Sequence, residues 1–221
     1  MSAILAIAPH PDDETLGCGG ALLRHKADGD AIHWLIVTEM IEAAGFSAAA
    51  IKARENEIAA VAKAYGFASV TRLGLPATRL DGEPMGDIVQ AFGAALKKIK
   101  PETVYVPFPG DVHSDHRVTF DAVAACGKWF RYPSVRRLVA CEIPSETDFG
   151  IDPSRQPFRP NLYVDVAKWL DEKIRIMAAY PGEMGDLPFP RSAEAIRALA
   201  MHRGSQCGAA AEAFMVLKEI R

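Results

Sequence analysis

The sequence predicts an α/β protein: a Rossmann-like three-layer sandwich with a mostly parallel sheet and an irregular C-terminal extension. Three observations carry this. Short apolar, β-rich runs alternate with helix-period segments from Ser2 to about Ile143. Two clusters of histidine and acid, around His10 and around His116, closely follow two of those runs. Strand ends of this kind are where open α/β sheets bind ligands. Finally, 221 residues with 49% hydrophobic content suit one globular domain over 1–221, with a core of about 1–145 and an extension of about 146–221.

The elements follow in order. Ser2–Ala8 reads as a first buried strand and Gly19–Ala27 as a helix. His33–Thr38 (HWLIVT) is a second strand. Ser47–Tyr65 is a helix with apolar positions Ile51, Ile58, Val61 and Ala62, stopped by Gly66. Ser69–Leu73 is a third strand and Met85–Ile99 a helix. Thr103–Pro107 is a fourth strand, Arg117–Ala125 a helix and Arg136–Ile143 a fifth strand. Beyond Ser145 the rhythm loosens. Asp152–Pro160 and Pro181–Pro190 are broken by proline and glycine and read as loops. Tyr163–Val166 suits a strand, and Lys168–Tyr180 and Ser192–Met201 suit helices. Glu212–Ile220 fits either a helix or an edge strand.

Composition narrows the function. With 25 basic and 28 acidic residues, net charge −3, there is no basic excess for nucleic acid and no polybasic run for a membrane surface. The four cysteines, Cys18, Cys126, Cys141 and Cys207, form no CxxC pair, which points to reduced thiols in a cytoplasmic protein. MSAILAIAPHPDDE lacks a basic start and breaks into proline and acids, so it is a strand rather than a signal peptide. No apolar run approaches the ~20 residues of a membrane helix, so no membrane anchor is expected.

The chemistry concentrates in Pro9-His10-Pro11-Asp12-Asp13-Glu14 and Asp111-Val112-His113-Ser114-Asp115-His116-Arg117. Imidazole and carboxylate together suit zinc, and a catalytic zinc takes three protein ligands and keeps one open position. The same donors can hold Fe²⁺ or Mn²⁺. Such a metal brings the pKa of its water to about 7, and a spare carboxylate can act as base. Asp12-Asp13 offers one carboxylate to bind and one to work. A second imidazole can stabilise an oxyanion, with a nearby Asp to orient it and keep it charged. Either motif alone also fits a turn with an aspartate capping the next helix; their joint occurrence at two strand ends favours a metal. Gly17-Cys18-Gly19-Gly20 is not a GxGxxG dinucleotide fingerprint, and its glycines read as packing sites.

The pair PHPDDE and HSDHR resembles the PIG-L/LmbE family of zinc-dependent N-acetylglucosaminyl deacetylases. Arg54-Glu55-Asn56-Glu57, Glu142-Ile143-Pro144-Ser145 and Ala211-Glu212-Ala213-Phe214 extend the likeness across most of the chain. The resemblance implies that His10, Asp13 and His116 hold the metal and that Asp12 is the general base. It implies that His113 stabilises the oxyanion with Asp115 as its carboxylate partner, and that Arg54 reaches the substrate. An exposed helix arginine paired with Glu57 is the alternative for Arg54. The implied reaction removes an N-acetyl group from an amino-sugar-containing small molecule by attack of zinc-bound water. The alternatives are a zinc esterase or amidase on a non-sugar substrate, or a non-catalytic metal or sugar binding module. Two stretches depart from the family's pattern: Thr38-Glu39-Met40-Ile41-Glu42-Ala43-Ala44-Gly45 after the second strand, and Tyr180-Pro181-Gly182-Glu183. The Pro/Gly-rich loop behind Tyr180 suits a lid or a homo-oligomer contact.

Overall fold

A computed structural model describes all 221 residues. Five strands run parallel at the centre: β1 (Ala3–Ala8), β2 (Ala31–Glu39), β3 (Ser69–Pro76), β4 (Thr103–Val106) and β5 (Arg137–Cys141). Two more, β6 (Leu162–Asp165) and β7 (Ala211–Glu219), complete a seven-stranded sheet in the order β3-β2-β1-β4-β5-β7-β6, with β7 antiparallel to both neighbours. The helices are α1 (Asp13–Ala27), α2 (Ala48–Tyr65), α3 (Met85–Ile99), α4 (Ser114–Ala125), α5 (Leu170–Met177) and α6 (Ala193–Gly204).

The sheet is buried on both faces, which is why β1 and β2 are nearly continuous apolar runs. Alternate residues of each strand enter opposite cores. Ile4, Ala6, Trp34, Ile36 and Val139 pack with α1, α2, α5 and α6. Leu5, Ile7, Leu35, Val37 and Val104 pack with α3 and α4. The result is the three-layer arrangement expected.

Three local outcomes differ from the sequence reading. First, α1 begins at Asp13 instead of Gly19, and it is broken at Cys18 (φ −146°, ψ 19°). The break releases backbone groups that must find partners. The Glu212 carboxylate accepts from Gly20 N–H (2.8 Å) and Ala21 N–H (2.7 Å), and the Lys173 ammonium donates to Leu16 C=O (2.8 Å). Lys173 and Glu212 are themselves paired at 2.7 Å, both buried. The glycines here are packing sites, as expected: a Cβ on Gly20 would stand 2.7 Å from the Val166 side chain.

Second, the segment from Ala211 is neither helix nor edge strand. It is β7, inserted between β5 and β6. Third, the C-terminal third is less irregular than its composition suggests. It supplies two strands and two helices, and its Phe214 and Tyr180 are fully buried in the main core.

The strand order places the site. β1 lies between β2 and β4, so successive crossovers leave β1 toward one side and reach β4 on the other. The carboxyl ends of β1 and β4 therefore open a crevice at the topological switch point. The His10 and His113–His116 motifs leave those two ends. No helix is long and apolar enough to cross a membrane.

Candidate metal centre and active site

The loop after β1 is fixed by carboxylates that accept backbone N–H groups. Asp13 Oδ2 accepts from His10 N–H (2.8 Å) and Glu14 Oε2 from Asp12 N–H (3.0 Å). Glu14 is fully buried and also receives the hydroxyls of Thr15 (2.6 Å) and Tyr180 (3.1 Å), so it holds the loop. Burial pushes its carboxyl up to about 7. Asp12 adopts φ 135°, a region that L side chains rarely occupy, and its side chain does not cap α1. Instead its carboxylate turns toward the crevice.

On the opposite loop, His113 caps α4: the backbone N–H of Asp115 donates to His113 Nδ1 at 3.1 Å. With Nδ1 accepting, the proton of the neutral ring is assigned to Nε2, which is free to donate. Burial, reinforced by His10 and His116, pushes the His113 ring down to about 4.

His10, Asp13 and His116 converge. His10 Nδ1 stands 3.4 Å from Asp13 Oδ2, and His116 Nε2 stands 3.3 Å from the same oxygen. One donor atom from each residue lies within 4.8 Å of the others. The second nitrogen of each ring meets a buried carboxylate. His10 Nε2 contacts Asp115 Oδ2 at 2.9 Å, and His116 Nδ1 contacts Asp111 Oδ2 at 2.9 Å. Metal-binding histidines are oriented in just this way. His116 is completely buried, yet its Nε2 has no hydrogen-bond partner. An orphaned imidazole nitrogen aimed at a carboxylate is costly unless a cation lies between them, so the residues present fit a metal ion.

In the metal-free arrangement these groups polarise one another. Burial opposes charge on both rings. Asp115 and Asp13 nevertheless raise His10 to about 9, and Asp13 and Asp111 raise His116 well above the usual imidazole range. Burial likewise opposes ionisation of Asp13, but His116 and His10 hold it well below the usual carboxylate range. Asp12 moves the other way. Burial, then the Asp13 charge, pushes its carboxyl well up, while Arg191 works against that rise.

Asp115 is placed differently from the sequence reading. Its carboxylate does not hydrogen-bond to His113. It accepts from Thr78 N–H (2.7 Å) and Leu80 N–H (3.1 Å) and contacts His10. Only its backbone N–H meets His113. The expectation of a charged His113 imidazole held by that carboxylate gives way to a neutral ring held by a backbone amide.

Arg54 is largely buried instead of exposed. It pairs with Glu57 (3.2 Å) and also lines the crevice, donating to Pro11 C=O (2.9 Å) and Glu183 (2.5 Å). Two contributors had no assigned role in the sequence. Asp111 belongs to a recognised motif, and its partner is the histidine five residues later. Arg191 lies in the loop before α6, where no periodicity marks it. Its guanidinium reaches Asp12 Oδ2 (2.9 Å), Glu183 (3.0 Å), Glu146 (3.3 Å) and the Ser145 hydroxyl (2.7 Å). Arg54, Glu146, Glu183 and Arg191 border, with His10, Asp12, Asp13 and His113, a cleft of about 260 Å³ that opens to solvent.

The family model described as GlcNAc-PI de-N-acetylase (PIG-L) matches residues 5–126, which include both motifs. A probable N-acetyl-alpha-D-glucosaminyl L-malate deacetylase 2 of Bacillus anthracis is 27% identical over 129 residues, covering 55% of this chain and 57% of that protein. The diacetylchitobiose deacetylase of Thermococcus kodakarensis is 24% identical over 232 residues, covering 94% of this chain and 80% of that protein. Among solved structures, the conserved protein TT1542 of Thermus thermophilus superposes with a TM-score of 0.77 at 27% identity, covering 100% of this chain and 97% of that one.

Proposed function

The chain belongs to the PIG-L family, and from that premise we propose that it is a metal-dependent hydrolase that removes the N-acetyl group of an amino-sugar-containing small molecule. One observation carries the proposal: the unpartnered Nε2 of buried His116 faces Asp13 beside His10, next to a carboxylate, Asp12, that the cluster does not consume. Two imidazoles and one carboxylate suit zinc, and Fe²⁺ or Mn²⁺ as alternatives. When bound, the ion supplies Lewis acidity toward a carbonyl oxygen and toward water.

The protein's own groups do the rest. Asp12, bordering the cleft, takes a proton from the attacking water and returns it to the leaving amine. His113 presents Nε2–H to the amide oxygen as negative charge develops there. The Asp115 backbone amide fixes the direction of that donor. Arg191 holds Asp12 in its strained conformation through the 2.9 Å contact. Asp115 and Asp111 orient the ligand rings. Arg54 braces the rim toward the substrate. The four free cysteines suit a reducing compartment such as the cytoplasm.

The test is acetate release from a panel of N-acetylated amino sugars and matched acetyl esters, with and without chelator. The proposal expects chelator-sensitive release from the amides. Release from esters alone, or release that ignores metal removal, contradicts it.

A further inference from the structure

The three guanidiniums that border the cleft are all already engaged by carboxylates. Arg72 donates to Glu39 (2.6 Å) and makes a two-pronged pair with Glu55 (2.6 and 2.5 Å). Arg54 lies between Glu57 and Glu183. Arg191 lies among Asp12, Glu183 and Glu146. Outside the two metal motifs, the lining therefore holds four carboxylates, Glu39, Glu55, Glu146 and Glu183, against three guanidiniums. Arg79 and Arg117 lie outside the lining and are directed at backbone carbonyls of Ala43 and of Asp111 and Val112. An incoming phosphate or carboxylate would have to strip a guanidinium from its partners and then sit among the freed acids. Breaking the pairs is costly at the largely buried Arg54 and Arg191; at the more exposed Arg72 it is the like charge of the freed Glu39 and Glu55 that opposes an anion.

The same lining also carries apolar side chains, interleaved with the charged ones along α2. Met40, Phe46, Ile51 and Ile58 present an apolar surface to the same cleft. The C–H face of a pyranose ring packs on such a surface, and its hydroxyls can donate to the carboxylates interleaved with it. Met40 belongs to the stretch after β2 that departs from the family's usual pattern.

From this charge arrangement we infer that the substrate is an uncharged N-acetylated sugar, in preference to a phosphate- or carboxylate-bearing conjugate of the same sugar. The inference rests on the deacetylase reading above and names its substrate class. Glu39 and Glu55 are the discriminating residues: by occupying Arg72 they remove a guanidinium that would otherwise receive an anion.

The experiment compares kcat/KM for acetate release by the metal-loaded enzyme from methyl N-acetylglucosaminide, an N-acetylated disaccharide and N-acetylglucosamine 1-phosphate. The neutral sugars should be preferred by at least about tenfold, a modest fraction of what like-charge juxtaposition can cost. In Glu39→Gln/Glu55→Gln, which leaves Arg72 unpaired, the phosphate-to-neutral ratio of kcat/KM should rise by about fivefold or more. Equal or faster turnover of the phosphate by the wild type would overturn the inference while leaving the deacetylase reading intact. An unchanged ratio in the double variant would overturn the role of Glu39 and Glu55. Release from none of the three would overturn the deacetylase reading, and this inference with it.

Discussion

Asp111 Oδ2 stands 2.9 Å from His116 Nδ1, deep in the protein, and this contact decides which nitrogen of His116 faces Asp13 and His10 in the candidate metal site. The Nδ1 proton is directed at Asp111, so Nε2 carries the lone pair toward Asp13. Asp111 is itself held by the Thr147 hydroxyl at 2.7 Å. Asp111→Ala should weaken metal binding by about 10–100-fold, the usual cost of losing such a partner. Competition with a graded series of chelators measures it. Unchanged affinity would mean that His116 is oriented by packing alone.

Arg191 joins the C-terminal loop to the strained Asp12 across 179 residues of sequence. Arg191→Ala should reduce stability by about 2–3 kcal/mol, toward the low end for breaking a buried pair because the guanidinium keeps some contact with water. It should also lower kcat, since Asp12 loses its restraint. Lysine should restore part of the stability but less of the rate, because an ammonium lacks the fork that reaches Asp12 and Glu146 together. Denaturant melts and steady-state kinetics separate the two effects. Full activity in Arg191→Ala would remove Arg191 from the account of Asp12.

Glu212 supports the metal loop from behind, through the break in α1. Glu212→Ala leaves two backbone N–H groups without a partner and the buried Lys173 ammonium with only the Leu16 carbonyl and no counter-charge, so it should cost about 3–5 kcal/mol. Glu212→Gln/Lys173→Met removes the charges together and should cost less than Glu212→Ala alone. A larger loss in the double variant, read by chemical denaturation, would contradict this pairing.

Periodicity and turn chemistry made most of the fold legible. The helix over Ser47–Tyr65 emerges as Ala48–Tyr65, with Ser47 capping Ala50 N–H and left-handed Gly66 ending it. Met85–Ile99 is α3 residue for residue. Local signals failed where distant partners decide. α1 extends through a glycine-rich stretch only because Glu212 and Lys173 satisfy its broken turn. β7 is an interior strand because β6 covers its far side. At the site, the two motifs brought His10, Asp13 and His116 together through strand-end placement, a rule of topology. The pairing of Asp115 with His10 instead of His113, and the arrival of Arg191, are matters of side-chain direction and long-range packing. Spacing along the chain does not encode them.

The central claim, a metal held by His10, Asp13 and His116 with Asp12 as a separate base, is tested most directly on Asp12→Asn. Bound metal and acetate release from an N-acetylated amino sugar are measured on the same preparation. The account predicts wild-type metal content with a rate reduced by about 100-fold or more, the scale of general-base loss. A variant that retains both its metal and its full rate would contradict it.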